Sequence, residues 1–271
     1  MTNNFCAEPW KQIFIGPDSK VKTCCAGRTN LGDLKEKNID DILNGSALRE
    51  IKESILKGEW HENCGLCKDL ENRGVNSQRK RTEDEVANIN FYKENVDFHV
   101  PEILDIRWSN TCNLACNYCM PYFSSVWASI KKEYQTPPRN YDGVLFYVKK
   151  NKEKNKKVWL LGGEPFLQKD NLELLKILPP DAHITVVTNL STDIENNPIL
   201  NILKERYNSS LNAEAKIDIG ISFDTIGNKF EYVRHNASWE KFTYNLELLK
   251  NLFPIKPFLL CLYIPYILHI I

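Results

Sequence analysis

Residues 110–119 read NTCNLACNYC and place three thiols, Cys112, Cys116 and Cys119, within eight positions. The residues just before them, 103–108, alternate apolar and polar side chains with the period of a β-strand. The cysteines are therefore predicted to lie on the loop that follows this strand, where functional side chains are common. Three thiolates can bind three irons of a cubane cluster and leave the fourth open, whereas clusters that only transfer electrons are normally held by four. We interpret the loop as an iron–sulfur site whose open iron can bind a substrate.

This loop resembles the signature of the radical S-adenosylmethionine (radical SAM) family, CxxxCx(aromatic)C, with Tyr118 in the aromatic position. The resemblance implies a 4Fe-4S cluster on the three cysteines and places Tyr118 in the S-adenosylmethionine (SAM) site. Taken alone, the same three cysteines could also be a fragment of a zinc site. The residues downstream favour the iron–sulfur interpretation.

Length, composition and charge limit the class of protein. The chain of 271 residues has room for one large domain or two ordinary ones, and a hydrophobic content of 42% is enough to build cores. Lys plus Arg and Asp plus Glu number 35 each, so no overall field favours nucleic acid or an anionic membrane. Neither a secretory signal nor an apolar run of membrane-spanning length is present, and we expect a cytoplasmic protein. In that reducing compartment nine cysteines favour metal binding over disulfides.

A second group of cysteines lies near the N-terminus. Residues 10–15 and 21–25, joined by a turn, predict a β-hairpin that brings Cys6 near Cys24. A CxxC pair, Cys64 and Cys67, follows it. This arrangement is typical of a metal site, although by itself it suits zinc as well as iron.

Residues 5–79 resemble the SPASM/Twitch auxiliary-cluster domain that accompanies many radical SAM enzymes. The shared features are Pro9-Trp10 after Cys6, the Pro17-Asp18 turn ahead of Cys24-Cys25, the segment LGDL and the CxxC pair. Nine cysteines, less the three of the loop and remote Cys261, leave five, so the resemblance implies a single auxiliary 4Fe-4S cluster of the Twitch type. Its implied ligands are Cys6, Cys24, Cys64 and Cys67. Adjacent side chains on a strand point in opposite directions, so only one of Cys24 and Cys25 can easily face the cluster. The distance from the turn favours Cys24 and leaves Cys25 as the spare.

The remaining sequence alternates strands with helices, which predicts right-handed β/α units around a parallel sheet. Strands are expected at residues 103–108, 158–161, 184–188, 217–223 and 258–264. Helices are expected near residues 126–135, 142–153, 168–177, 197–207 and 239–252, besides an N-terminal helix at 47–57 with Ser46 as its N-cap. The fold class is therefore α/β: a partial (β/α) radical SAM barrel preceded by a small α+β cysteine-rich iron–sulfur domain. We expect boundaries at 1–80 for the auxiliary domain, 81–101 for a charged, solvated linker and 102–271 for the barrel.

Polar residues stand where the predicted strands end, at the edge of the sheet where such folds place their sites. Gly162-Gly163-Glu164-Pro165 ends the second barrel strand and matches the family's GGEP motif, which binds the SAM amino group. Glycine allows close backbone approach to a ligand, and a carboxylate can accept bonds from an ammonium group. Asn189 and Ser222 stand at the ends of the next two strands, and the resemblance implies that Ser222 binds the ribose. Arg234 falls where the family has an arginine that pairs with the SAM carboxylate.

The resemblance implies a radical SAM enzyme that reductively cleaves SAM to a 5'-deoxyadenosyl radical and takes a hydrogen atom from its substrate. A peptide or protein side chain is the first choice of substrate, and carbohydrates and small metabolites are others in the family. The enzyme would need an electron donor such as flavodoxin or ferredoxin, and neither nucleic acid nor a membrane is expected as a partner. The alternative is a non-catalytic iron–sulfur or zinc-binding interaction protein.

The C-terminal stretch, residues 257–271, contains no acidic or basic side chain other than one histidine. A fifth barrel strand accounts for its first half. Family barrels generally have a sixth strand, so we expect a barrel that is truncated after the fifth strand or an edge that another chain covers.

Overall fold

A computed structural model describes residues 4–97, 100–133, 141–209, 217–253 and 259–262. Its strands are β1 Gln12–Ile15, β2 Lys20–Lys22, β3 Gly32–Asp33, β4 Ile103–Ile106, β5 Ala115–Cys116, β6 Lys157–Leu160, β7 His183–Thr188, β8 Ile217–Phe223, β9 Arg234–His235 and β10 Leu259–Leu262. Its α-helices are α1 Glu8–Lys11, α2 Ile39–Leu43, α3 Ser46–Leu56, α4 Gly65–Asn72, α5 Ile89–Glu94, α6 Ser125–Lys131, α7 Tyr141–Lys150, α8 Lys169–Ile177, α9 Pro198–Ser209, α10 Gly227–Val233 and α11 Trp239–Leu252. Short 3₁₀ segments cover Glu62–Cys64, Gln78–Asn88 and Pro165–Leu167.

The predicted α/β architecture is confirmed, and the five expected barrel strands are β4, β6, β7, β8 and β10, in parallel register. Each pair is linked by helices, as the alternating pattern indicated. The second half of the C-terminal stretch lies outside the described residues. None of the described helices combines the length and the apolar character needed to cross a membrane.

One strand joins the cysteine-rich N-terminal region to the barrel. β1 pairs in parallel with β4, with Phe14 opposite Asp105, and antiparallel with β2, so a single sheet of eight strands has the order β10-β8-β7-β6-β4-β1-β2-β3. All four residues of β1 are buried, as expected for an interior strand covered on both faces. The sheet is therefore continuous across the boundary that the sequence suggested between the two cysteine sites.

The main core lies between this sheet and the helices of the barrel. Alternate residues of each strand, such as Leu104, Val158 and Ile184, are buried against helical side chains that include Tyr147 and Leu203. This is the period-two burial of a sheet with one face against helices. On the opposite face, pairing places Asp105 beside Trp159, Trp159 beside Thr185 and Thr185 beside Asp218.

Several local predictions differ from the structure. Helix α3 begins at Ser46 itself and its N-cap is Gly45, so Ser46 is not the cap. The hairpin strand β2 ends at Lys22, because the chain bends before Cys24. Helix α10 and the short β5–β9 ribbon were not predicted from the sequence. Strands of two residues are too short to show a period-two pattern. The sequence of α10 lies between segments with stronger strand and helix patterns.

Candidate active site

The loop that carries Cys112, Cys116 and Cys119 begins after β4 and is held by the N-terminal end of α6. The Cys112 amide donates a hydrogen bond of 3.1 Å to Ser125 Oγ, and this hydroxyl donates to the Cys112 carbonyl at 3.1 Å. The fully buried Ser124 hydroxyl donates to the Leu114 carbonyl at 2.7 Å. The loop therefore has a defined backbone conformation, as a preorganised metal site requires.

A short antiparallel ribbon places Arg234 against this loop. Cys116 in β5 pairs with Arg234 in β9, and Arg234 Nη1 lies 4.0 Å from Cys116 Sγ. The amide of Asn117 also donates to the Val233 carbonyl at 2.9 Å. The ribbon thus brings Arg234, which is far from Cys116 in the chain, directly beside this predicted cluster ligand.

Arg234 belongs to a buried polar group with Asp224 and Tyr118. Its Nε lies 2.5 Å from Asp224 Oδ2, to which the Tyr118 hydroxyl donates at 3.0 Å, and its guanidinium lies 5.6 Å from the centre of the Tyr118 ring. Among the described residues, Arg234 Nη2 and Asp224 Oδ1 are buried without a hydrogen-bond partner. Buried polar atoms are normally satisfied, so such atoms beside the cysteine loop suit a polar ligand. A free guanidinium N–H suits a carboxylate in particular.

The GGEP segment packs against the cysteine loop rather than standing apart from it. Gly163 has φ +57°, and a Cβ there would lie 2.2 Å from the Thr111 carbonyl oxygen. Gly162 has φ +78° and faces the side chain of Arg107. The sequence suggested that these glycines allow a ligand to approach. The structure shows that close approach of the chain to itself already requires them.

Glu164 is fully buried and uses its oxygens within the chain. Oε1 accepts hydrogen bonds from Thr188 Oγ1 at 2.7 Å and from the Phe166 amide at 3.2 Å, and Oε2 accepts from the Asn189 amide at 2.8 Å. Burial raises the pKa of Glu164 to about 7, and these bonds oppose the rise. The carboxylate therefore ties the ends of β6 and β7 together. In this conformation Glu164 can therefore contribute to ligand binding only by fixing the position of the GGEP segment.

Asn189 and Ser222 lie at the same edge of the sheet in different surroundings. Asn189 Nδ2 donates to Asn113 Oδ1 at 3.0 Å and lies 3.7 Å from Cys112 Sγ, so Asn189 contacts the cysteine loop itself. Ser222 is half-buried in β8, one strand further along. The structure thus brings Asn189 and Arg234 into direct contact with the cysteines and places Ser222 on a neighbouring strand end.

Burial controls the protonation of the three loop thiols. It raises the pKa of Cys112 to about 12 and that of Cys119 to about 11. It also raises the pKa of Cys116, where the Arg234 guanidinium opposes the rise. Metal binding requires thiolates, so a metal that binds here must displace these protons.

The four predicted auxiliary ligands line one cavity between the chain around α1, the bend after β2 and the start of α4. This cavity is bounded by Cys6, Cys24, Cys64 and Cys67. Cys25 does not line it, and its thiol donates to Gln78 Oε1 at 3.1 Å. Both cysteines lie in a bend after β2 and not on a strand. The bend, rather than the expected alternation along a strand, therefore gives the two side chains different surroundings.

The cysteines of both sites are free thiols. Among the described residues, no three His, Cys, Asp or Glu side chains converge closely enough to hold one metal ion. A cubane cluster places each thiolate on a different iron, so its ligands need not converge on one point. Four thiols around a cavity and three on a loop are donor sets that 4Fe-4S clusters accept.

One set of residues beside the auxiliary cavity was not anticipated. Gln78, Arg79 and Thr82 were expected in or next to a solvated linker, yet each is at least nine-tenths buried. Arg79 and Gln78 line the same cavity as the four cysteines. The charged run Arg79-Lys80-Arg81 predicted solvent exposure on average, and no sequence signal marks which of its side chains turns inward.

Comparisons with known proteins identify the family of this chain. The family model described as "Radical SAM superfamily" matches residues 106–268, more than half of the chain, and the chain belongs to this superfamily. A second model, the SPASM "Iron-sulfur cluster-binding domain", matches residues 6–68, N-terminal to the first. Membership implies a 4Fe-4S cluster that binds SAM, and the SPASM domain implies an auxiliary iron–sulfur cluster.

Two curated relatives match parts of the chain. A 7-carboxy-7-deazaguanine synthase of Clostridium acetobutylicum is 38% identical over 87 residues, which are 31% of this chain and 36% of the relative. A GTP 3',8-cyclase of Aquifex aeolicus is 35% identical over 75 residues, 28% of this chain and 22% of the relative. The match thus spans about a third or less of either relative. No solved structure matches the chain.

Proposed function

We propose that this protein is a radical SAM enzyme that reductively cleaves SAM and abstracts a hydrogen atom from a substrate. In this proposal Cys112, Cys116 and Cys119 hold the SAM-binding 4Fe-4S cluster. The observation that carries it is the pairing of Cys116 with Arg234, which sets a buried guanidinium with one unpartnered nitrogen beside a predicted cluster ligand. When bound, the cluster supplies the electron that splits SAM into methionine and a 5'-deoxyadenosyl radical.

The residues around the loop are assigned roles in SAM binding. Arg234, held in place by Asp224, pairs with the carboxylate of SAM, and Tyr118 supports this arginine through Asp224 and its ring. Gly162, Gly163 and Glu164 bind near the amino group, Glu164 by fixing the segment's position. Asn189 orients the loop, and Ser222 binds the ribose. The burial of Arg234 and Asp224 keeps water from the ion pair and so strengthens it.

The auxiliary 4Fe-4S cluster is assigned to Cys6, Cys24, Cys64 and Cys67. Four thiols leave no open iron, so the cluster exchanges electrons with a substrate radical or stabilises the fold. The proposed functional units are residues 1–80 for this cluster and 102–271 for the barrel, on one continuous sheet. The segment 81–101 between them carries part of the 3₁₀ segment Gln78–Asn88 and helix α5.

A peptide or protein side chain is the proposed substrate, on the resemblance to SPASM/Twitch enzymes. Small nucleotide-derived molecules are the second candidate, because the name of the Aquifex relative specifies GTP as its substrate. A cytoplasmic flavodoxin or ferredoxin would deliver the electron.

SAM cleavage tests this proposal directly. Protein reconstituted with iron and sulfide without oxygen, then given dithionite and SAM, is expected to release 5'-deoxyadenosine, measured by chromatography. Cys116→Ala should abolish this release. Cys25→Ala removes a thiol outside both proposed ligand sets and should retain it. Intact, reduced clusters that bind SAM without cleavage would favour the non-catalytic alternative, and stoichiometric zinc without iron would favour a zinc-binding module.

A further inference from the structure

A segment beyond the matched SPASM region closes the auxiliary cavity. The SPASM match ends at residue 68, and the chain returns to the cavity with Gln78 and Arg79, each 3% exposed. Ser77 and Thr82 are buried beside them. The Thr82 hydroxyl accepts a hydrogen bond of 3.2 Å from the Ala7 amide and lies 3.9 Å from Cys6 Sγ. The auxiliary site therefore has a wall that neither the family match nor the cysteine pattern includes.

Arg79 is the cation of this wall, and its guanidinium is held on several sides. Nε donates to Glu71 Oε1 at 2.9 Å and Nη2 donates to Glu71 Oε2, in a bidentate pair. Nη1 donates to the carbonyl of Phe5, the residue before Cys6, at 3.1 Å. The guanidinium also lies 5.5 Å from the centre of the Trp60 ring. This geometry fixes the guanidinium, ion-paired with Glu71, at the cavity edge.

Such a charge needs a reason, because burying an ion costs free energy that one ion pair rarely recovers in full. A four-thiolate cubane is itself an anion, and it gains one further negative charge when it takes up an electron. A buried cation at the wall interacts with that charge in a medium of low effective dielectric, where the interaction is strong.

We propose that Arg79 is a positioning residue that raises the reduction potential of the auxiliary cluster held by Cys6, Cys24, Cys64 and Cys67. One electron passes from an external reductant, dithionite in the test below, to the oxidised cluster, and no proton is needed. Arg79 stabilises the reduced state, and Glu71 holds the guanidinium toward the cavity. The inference rests on the proposed auxiliary ligands and is independent of SAM cleavage.

The test measures the potential of the auxiliary cluster alone. In a background with Cys112, Cys116 and Cys119 all replaced by alanine, the full chain should retain one cluster, titrated with dithionite and followed by electron paramagnetic resonance. Arg79→Gln is expected to lower the ratio of reduced to oxidised cluster at least tenfold at a fixed potential, a shift of about 59 mV for one electron. Arg79→Lys, which keeps the charge, should restore most of the difference.

A neighbouring cation provides the matched control. Lys80 is partly exposed and pairs with Glu83 at 2.9 Å, so Lys80→Gln removes the same charge one residue away, where water screens it. Its effect on the ratio should be less than twofold. Equal shifts in the two glutamine variants, or no shift in Arg79→Gln, would overturn the inference.

Loss of the cluster in Arg79→Gln calls for a second variant. Glu71→Gln keeps an amide oxygen that can still accept a hydrogen bond from the guanidinium and removes the opposing negative charge, so the potential should rise; an unchanged potential there would also overturn the inference. Iron content distinguishes a wrong ligand assignment from a wrong role for Arg79. A triple-alanine protein without iron would refute the auxiliary ligand assignment and the inference with it, whereas a normal cluster with an unmoved potential would refute only the role of Arg79.

Discussion

Replacing Gly163 with alanine places a methyl group against the backbone of the cysteine loop. The new Cβ would lie 2.2 Å from the Thr111 carbonyl oxygen and 2.8 Å from its carbon. These are backbone atoms, so no side chain can rotate away and the loop or the GGEP segment must move. The positive φ of +57° adds the strain of a left-handed conformation.

The cost can be worked from these two contributions. A left-handed alanine costs about 1–2 kcal/mol. Forcing an extra methyl group into a packed site costs about 1–3 kcal/mol more. Gly227 separates the backbone cost from the packing cost, because it has the same φ of +57° and open space where its Cβ would be. We therefore expect Gly163→Ala to lower the free energy of unfolding by about 2–5 kcal/mol and Gly227→Ala by only about 1–2 kcal/mol.

Thermal and urea unfolding of the two variants provide the assay. For a chain of this size each kcal/mol lowers the melting temperature by about 2–4 °C. Because the clash falls on the residue before Cys112, Gly163→Ala should also lose iron from the SAM-binding site, whereas Gly227→Ala should retain it. Equal destabilisation of the two proteins, with normal iron content in both, would refute the conclusion that contact with the cysteine loop requires glycine at position 163.

Three further predictions follow from buried side chains. Cys24→Ala should lose the auxiliary iron and Cys25→Ala should keep it, because only Cys24 lines the cavity; iron analysis checks this, and the reverse result would exchange their roles. Burial lowers the pKa of Lys52 to about 8 from 10.5, so its protonation opposes folding, and stability should rise by about 3 kcal/mol from pH 8 to 10.5. Lys52→Met should remove this slope in urea unfolding at several pH values, and an unchanged slope would contradict the assignment. Asp224→Ala should cost about 3–5 kcal/mol and weaken SAM binding in equilibrium dialysis, since it leaves buried Arg234 without its counter-charge; undiminished stability would show that water reaches the pair.

The sequence alone determined the features that depend on local spacing. Three cysteines within eight residues lie near one another in any fold, and the alternation of strand and helix periods predicted the parallel sheet, because each pattern acts within a few residues of backbone. The four N-terminal cysteines around one cavity were likewise expected, from the resemblance to a family with that spacing.

Tertiary structure alone decided which distant residues meet. The pairing of β1 with β4 merges the cysteine-rich region with the barrel, and the ribbon of β5 with β9 joins Cys116 to Arg234 across 118 residues. The same holds for Arg79, whose charged neighbours indicated solvent although its side chain closes a cavity. Local patterns record the period of the backbone, whereas burial and pairing depend on free energies summed over contacts from the whole chain. No window of sequence contains those contacts.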